Sequence, residues 1–123
     1  MGKGVADDPR AVLPAAPSYR LAYRVCRSNP PVPFDFISHF RRGIKLRVST
    51  PRAIDVSKGV SLWETEAQAR GLALRYPHTG SYIATVAIPS NVRQELNSSS
   101  GHLSVWAEPE EMVDWVQKVV RVS

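Results

Sequence analysis

Alternation of apolar and polar side chains predicts β-strands at several points along the chain. In residues 19–28, a bulky apolar face alternates with a face of small and basic residues. Residues 81–88 are apolar on both faces and rich in β-forming residues, so we expect a central strand there. Shorter strands are predicted over residues 44–48, 59–63 and 102–107, with an edge strand at 121–123.

Helical periodicity and end signals predict three helices, over residues 34–43, over residues 65–76 and from Pro109 to the terminal valines. Asp35 is the predicted N-cap of the first helix and Gly43 its C-terminal stop. Thr65 and Gln68 have the spacing of a capping box at the start of the second. The predicted buried stripes of the first and third helices are Phe36, Ile37 and Phe40, and Met112, Val113, Val116, Val119 and Val120.

Polar segments at residues 49–58 and 90–101 are predicted to be loops. The resulting order of strands and helices predicts an α+β fold, with about three helices and a small mixed, mostly antiparallel sheet. The length of 123 residues suits a single domain, assigned to residues 19–123. Residues 1–18 contain three prolines, and we expect a flexible N-terminal arm there.

Positive charge is concentrated in one part of the chain. Residues 9–58 hold ten Lys and Arg against two Asp, within a formal net charge of +5 for the whole chain. This surplus indicates an anionic partner, which could be a phosphate-bearing ligand, an acidic protein or a nucleic acid. Nucleic acid is the less favoured of these, because the phenylalanines of this region are assigned to the core. A solvated basic surface that serves solubility explains the same charge.

Several classes of function are excluded or disfavoured by the sequence. The single cysteine, Cys26, allows no internal disulfide, is interpreted as a small buried residue, and makes a reducing cytoplasm the expected compartment. The histidines lack the spacing of metal ligands, and the common phosphate-loop, metalloprotease and serine-hydrolase motifs are absent. No apolar run approaches the ~20 residues that span a bilayer. A monomer or a weak homodimer is expected.

Polar residues that could carry chemistry stand at or near the ends of three predicted strands. Arg24 and Arg27 belong to the first, Ser61 to the second, and Glu108 follows the third. Because binding sites form where element ends meet loops, we expect one cleft at the edge of the sheet. His102 shares a strand face with Glu108 and is a candidate acid or base.

These segments resemble the core of the ADP-ribosyltransferase-like superfamily. Its aromatic–Arg pair matches Tyr23 and Arg24, its strand hydroxyl matches Ser61, and its glutamate matches Glu108 or Glu110. The resemblance implies NAD binding, with transfer of ADP-ribose or hydrolysis of NAD. The whole chain also resembles small bacterial proteins of similar length, which implies no function.

The resemblance implies a role for each candidate residue. Arg24, with Arg27 beside it, would bind the pyrophosphate, Ser61 a ribose, and Glu108 an oxocarbenium-like centre. An aromatic ring, either Trp63 or Tyr82, would stack on nicotinamide or adenine. Three alternatives stay open: an inactive relative, a non-enzymatic basic module for an acidic protein or a nucleic acid, and a small structural partner in a protein complex. The last is suggested by the valine-rich terminal helix with Trp115 beside its stripe, which could leave an apolar strip for a partner.

Overall fold

The computed structural model describes residues 18–44, 46 and 50–123, so the predicted N-terminal arm and most of the predicted strand at 44–48 lie outside the described residues. The strands are β1 (Tyr19–Cys26), β2 (Val60–Trp63), β3 (Tyr82–Pro89), β4 (Gln94–Asn97), β5 (His102–Val105) and β6 (Val116–Arg121). The helices are α1 (Pro51–Ser57), α2 (Glu66–Arg75) and α3 (Pro109–Asp114), with 3-10 turns at Pro33–Phe36 and Pro77–Thr79.

The six described strands form one antiparallel sheet in the order β4-β5-β2-β1-β3-β6. The predicted α+β class is therefore confirmed. Strands β1 and β3 pair along their whole length, from Tyr19 opposite Pro89 to Cys26 opposite Tyr82. Strands β1 and β2, in contrast, pair only at Tyr23 opposite Trp63. The sheet is thus open between the C-terminal end of β1 and the start of β2.

Each face of the sheet packs against a different helix. On one face, α3 and the first 3-10 turn contribute Met112 and Phe36 to the main core, and the strands contribute Ala22, Cys26, Val60, Leu62, Ala84, Val86, Ile88, Leu103 and Val105. On the other face, Ala69 and Ala73 of α2 pack against Val25 and Ile83. Buried aliphatic side chains of this kind provide most of the free energy of folding.

Several predictions of local structure are confirmed. Four strands begin and end within two residues of their predicted bounds, and α2 begins after the predicted N-cap Thr65. The Thr65 hydroxyl accepts a hydrogen bond from the Gln68 backbone N–H at 3.1 Å, and the Gln68 side chain accepts one from the Thr65 N–H at 3.0 Å. Cys26 is a buried free cysteine, and burial raises its pKa to about 12.

The two faces of β1 are covered to different extents. The face of small residues, which carries Ala22 and Cys26, is the one that the main core covers. The bulky face is open at its start, where Tyr19 and Leu21 are 62% and 45% exposed. Small side chains on the covered face let the first 3-10 turn and α3 approach the sheet closely, which the alternation pattern alone does not reveal.

The predicted helix over residues 34–43 is wrong. Only a 3-10 turn, Pro33–Phe36, and a hydrogen-bonded turn at residues 38–44 form there. Asp35 caps no α-helix; its buried carboxylate instead accepts hydrogen bonds from the backbone N–H groups of Arg27 and Val32, at 2.8 and 2.9 Å. Phe36 is buried, whereas Phe34 and Phe40 are 66% and 50% exposed.

Three further segments differ from their predictions. The predicted loop at 49–58 contains α1, which the Thr50 hydroxyl caps by accepting a hydrogen bond from the backbone N–H of Ala53 at 3.1 Å. The predicted loop at 90–101 contains β4. The terminal helix ends at Asp114, and the valines assigned to its stripe belong mainly to β6, because pairing with β3 satisfies their backbone groups. No helix among the described residues is long and apolar enough to cross a bilayer.

Candidate functional site

A cleft of about 390 Å³ lies beside the opening between β1 and β2. Its walls come from both strands, from the turn at residues 38–44, from α2, from the second 3-10 turn and from the start of β5. The described lining residues are Arg24, Val25, Arg27, His39, Arg42, Ile44, Ser61, Trp63, Leu72, His78, Thr79 and His102. They include three arginines and three histidines and no acidic residue, so the cleft is electropositive.

Arg24 connects the elements that border the cleft. Its Nη1 donates to the backbone carbonyl oxygen of Ser61 at 2.7 Å and its Nε to that of Asp35 at 2.9 Å. Its Nη2 lies 3.5 Å from the carbonyl oxygen of Ile37. Burial lowers the pKa of Arg24 below its ordinary value, with a smaller contribution from Arg42. Arg24 therefore holds β2 and the 3-10 turn to β1, and also adds positive charge to the cleft.

Arg27 and Arg42 are the exposed arginines of the cleft. Side chains at positions 24 and 27 of a continuous strand would point to opposite faces, but β1 ends at Cys26, so both can line one cleft. The Asp35 carboxylate fixes the backbone of Arg27 through the hydrogen bond from its N–H. Arg42 is held by the turn in which its N–H donates to the carbonyl oxygen of Ser38 at 3.0 Å.

Ser61, Trp63 and His102 form a polar and aromatic group on the β2 side of the cleft. The hydroxyl oxygen of Ser61 and Nε2 of His102 are 2.9 Å apart, within hydrogen-bonding distance. The rings of Trp63 and His102 meet edge to face with centroids 5.4 Å apart. Burial lowers the pKa of His102, and the nearby His39 lowers it further. The imidazole is therefore mainly neutral at pH 7.

His39 also lines the cleft, from the turn at residues 38–44. Its pKa is lowered first by burial and then by the positive charges of Arg24 and Arg42. The cleft thus contains two histidines that accept protons less readily than they would in solution.

Glu108 does not face this cleft. It lines a separate one with Arg41, Lys58 and Trp106, where its carboxylate pairs with Arg41 at 3.5 Å and its side chain is 72% exposed. The prediction that Arg24, Ser61 and Glu108 meet in one hollow is therefore wrong for Glu108. The physical reason is that Pro109 begins α3, which places Glu108 at the N-cap of this helix and away from Ser61.

The remaining candidates divide between the cleft and the rest of the sheet. Trp63 and His102 line the cleft. Tyr23 is opposite Trp63 in the sheet and is not among the lining residues. Tyr82 lies on β3, with the guanidinium of Arg121 5.6 Å from its ring centroid, and is also outside the cleft.

Sequence reasoning missed His39, Arg42 and His78 as residues of this cleft. Neither His39 nor His78 belongs to a motif or to one of the strand ends that the sequence singles out. Their proximity depends on how the turn at residues 38–44 and the second 3-10 turn fold back over the sheet, which no local pattern encodes. The usable signal was the run of positive charge at Arg41 and Arg42.

Within the described part of the chain, no three His, Cys, Asp or Glu side chains are grouped as a metal site requires. Comparison of the chain with protein-family models, with curated proteins and with solved structures finds no match. Any functional conclusion therefore depends on the geometry and charge of the cleft.

Proposed function

We propose that this chain binds a phosphate-bearing ligand in the cleft between β1 and β2, and that the ligand is NAD, as in an ADP-ribosyltransferase-like domain. The observation that carries the proposal is the convergence of Arg24, Arg27 and Arg42 on one cleft with no acidic residue among its described lining. Clefts lined by charges of one sign concentrate ligands of the opposite sign.

The three arginines have different tasks in this proposal. Arg27 and Arg42 present exposed guanidinium groups that can form bidentate hydrogen bonds with phosphate oxygens. The Arg24 donors are engaged with backbone carbonyl oxygens, so Arg24 acts on the ligand through its charge. This assignment transfers the expected pyrophosphate contact from Arg24 to its two exposed neighbours.

The side chains on the β2 side of the cleft favour a nucleotide as the ligand over a simple inorganic anion. The indole of Trp63 offers an apolar ring for a nicotinamide or adenine base. Next to it, the Ser61 hydroxyl and the His102 imidazole can bind ribose hydroxyl groups. A base, a ribose and a phosphate would then contact neighbouring parts of one cleft.

Binding is better supported than catalysis. The glutamate that the resemblance assigns to the oxocarbenium-like centre lies in a different cleft, and the described lining of the NAD cleft contains no other carboxylate. Among the candidate catalytic residues, only His102 lines the cleft, where it can orient a ribose hydroxyl. We therefore propose an NAD-binding domain related to ADP-ribosyltransferases. Turnover of NAD is not part of this proposal and has its own measurement.

Thermal unfolding in the presence of NAD tests the proposal. Ligand at about 100 times its Kd stabilises a protein by about 2.7 kcal/mol, which raises the Tm by several degrees for a domain of this size. Arg42→Gln should lose most of this rise. Arg20→Gln, which changes an exposed arginine of β1 outside the cleft, should keep it. No rise for the unaltered protein at millimolar NAD would refute the proposal, and nicotinamide release in the same samples would measure turnover.

One observation favours a second candidate, a nucleic-acid-binding surface. Phe34 and Phe40 are exposed rather than buried; Arg41 follows Phe40 in the chain, and the Lys58 ammonium is 4.9 Å from the Phe40 ring centroid. Exposed aromatic rings beside cations are typical of surfaces that stack single-stranded bases. Binding of a short single-stranded oligonucleotide that falls steeply with salt and with Phe40→Ala would support this candidate. Binding unaffected by either change would exclude it.

A further inference from the structure

The histidines of the cleft support an inference that rests on the proposed function. We propose that His39 and His102 bind the anionic ligand in their protonated forms, so that the protein takes up protons together with its ligand and binds more tightly as the pH falls. His39 thereby becomes a ligand-binding residue, although no motif in the sequence indicates that role.

The two histidines line the same cleft but belong to different elements of the fold. His39 belongs to the turn at residues 38–44, and His102 begins β5 beside Ser61 and Trp63. A phosphate group bound by both histidines would accept hydrogen bonds from imidazole N–H groups and from a guanidinium of the same cleft. Hydrogen bonds from charged donors to phosphate are about twice as strong as those from neutral donors.

The groups around the histidines are almost all cationic or neutral. Strand β1 contributes Arg24, and Arg27 follows directly after it; the turn contributes Arg42, the second 3-10 turn contributes His78, and α2 contributes only the apolar Leu72. These residues raise the cost of placing a positive charge on either imidazole while the cleft is without an anion.

The neighbouring carboxylates have partners of their own. His102 also lines an adjacent cleft that contains Glu95, but the Glu95 carboxylate is paired with Arg52 at 2.5 Å. Asp35 borders Arg24 and Arg42 in a small adjoining pocket, and its carboxylate accepts two backbone hydrogen bonds. A bound anion would therefore be the main new negative charge near the histidines.

The electrostatic consequence has a definite sign. Burial and neighbouring positive charge lower the pKa of both histidines in the absence of ligand. An anion placed between them offsets this repulsion and raises both pKa values, so the complex holds more protons than the free protein. By linkage, affinity must rise as the pH falls through the range in which the histidines titrate.

Isothermal titration calorimetry with NAD tests this inference, in two buffers of different ionisation enthalpy at about pH 7.5 and about pH 5.5. The pyrophosphate of NAD stays ionised across this range, so a change in affinity reports on the protein. If the ligand raises the pKa of one histidine by about one unit, affinity increases about tenfold on acidification. The buffer dependence of the enthalpy should show net proton uptake.

Three single substitutions identify which histidines cause the proton uptake and the dependence of affinity on pH. His39→Gln and His102→Gln should each reduce the proton uptake and flatten the dependence of affinity on pH. His78→Gln, which changes a third histidine of the same cleft, should retain both. Loss of proton uptake in His78→Gln alone would overturn the assignment.

The possible outcomes distinguish a failure of this inference from a failure of the proposed NAD binding. NAD that binds equally well at both pH values without proton uptake, or more weakly at the lower one, overturns the inference and leaves the proposed function standing. NAD that binds at neither pH overturns both.

Discussion

Arg24 joins β1 to β2 by donating a hydrogen bond of 2.7 Å from its Nη1 to the backbone carbonyl oxygen of Ser61. The two strands share only one residue pair, so this side chain satisfies a carbonyl group where the sheet is open. The same opening gives the cleft access to the β2 residues Ser61 and Trp63. One arginine therefore stabilises the fold and contributes to the positive charge of the candidate site.

Replacing Arg24 should reduce stability even without ligand. Arg24→Lys keeps the positive charge, but a single ammonium cannot copy the planar guanidinium that reaches several carbonyl oxygens. We expect the free energy of unfolding to fall by about 2 kcal/mol, measured by urea denaturation. The matched control, Arg20→Lys, changes an exposed arginine of the same strand and should cost less than about 0.5 kcal/mol. Equal stability of the two variants would contradict the structural role of Arg24.

Asp35 should be essential to the stability of the segment that leads into the turn at residues 38–44. Its buried carboxylate accepts hydrogen bonds from the backbone N–H groups of Arg27 and Val32. In Asp35→Asn one acceptor oxygen is replaced by an amide donor that faces an N–H group, and we expect a loss of about 2 kcal/mol in urea denaturation. Asp114→Asn, at an exposed position, is the control. A loss no larger than that of the control would contradict this role.

Gly80 should tolerate no side chain. Its φ is +153°, and a Cβ atom at this position would collide with the backbone carbonyl of Cys26. Gly43 also has a positive φ, +72°, but a Cβ atom there meets no neighbour within 4 Å. We expect Gly43→Ala to lower the free energy of unfolding by about 1 kcal/mol and Gly80→Ala to lower it considerably more or to prevent folding. Similar Tm values for the two variants would contradict the close packing at Gly80.

The ligand-free protein should lose stability on mild acidification. His39 and His102 have pKa values below the ordinary 6.5, so near and below that pH the unfolded chain binds more protons than the folded one. Stability is therefore fully present above about pH 7 and decreases as the pH falls through the histidine range. Thermal unfolding from about pH 7.5 to about pH 5.5 measures the decrease, and His102→Gln should make it smaller. An unchanged decrease in that variant would show that other groups cause it.

Local signals in the sequence predicted α2 well, because its start depends on two side chains three residues apart. Thr65 and Gln68 form the same reciprocal hydrogen bonds in the structure that their spacing predicts. A comparable signal at Thr50 and Pro51, a hydroxyl N-cap before a proline, was overlooked at the start of α1. Capping is local, and for that reason it can be recognised without knowledge of the fold.

The end of the chain shows where local reasoning fails. Val116, Val119 and Val120 repeat at spacings of three and four, which is also the spacing of a helical stripe. In the structure they belong to β6, which pairs with β3 at residues 30 to 39 positions earlier in the chain. Pairing over that distance decides the conformation, and β-branched residues suit it.

The candidate site could be predicted only in part, because contacts between distant parts of the chain also decide which residues line it. Arg24, Ser61 and His102 stand in or at the ends of strands that the alternation pattern predicts, and they do line one cleft. Glu108 shares the pattern but is placed at a helix N-cap. His39 and Arg42 reach the cleft through a turn that the sequence predicted to be helical, so their role depends on tertiary contacts.

The most direct test of the account is a two-dimensional ¹H–¹⁵N spectrum of the tryptophan side chains during titration with NAD. The cleft contains Trp63, whereas Trp106 lines the cleft of Glu108 and Trp115 packs against the main core. We predict that the indole resonance of Trp63 shifts progressively and saturates, while the other two stay in place. A titration that leaves Trp63 unmoved, or that moves Trp106 instead, would contradict the assignment of ligand binding to the cleft between β1 and β2.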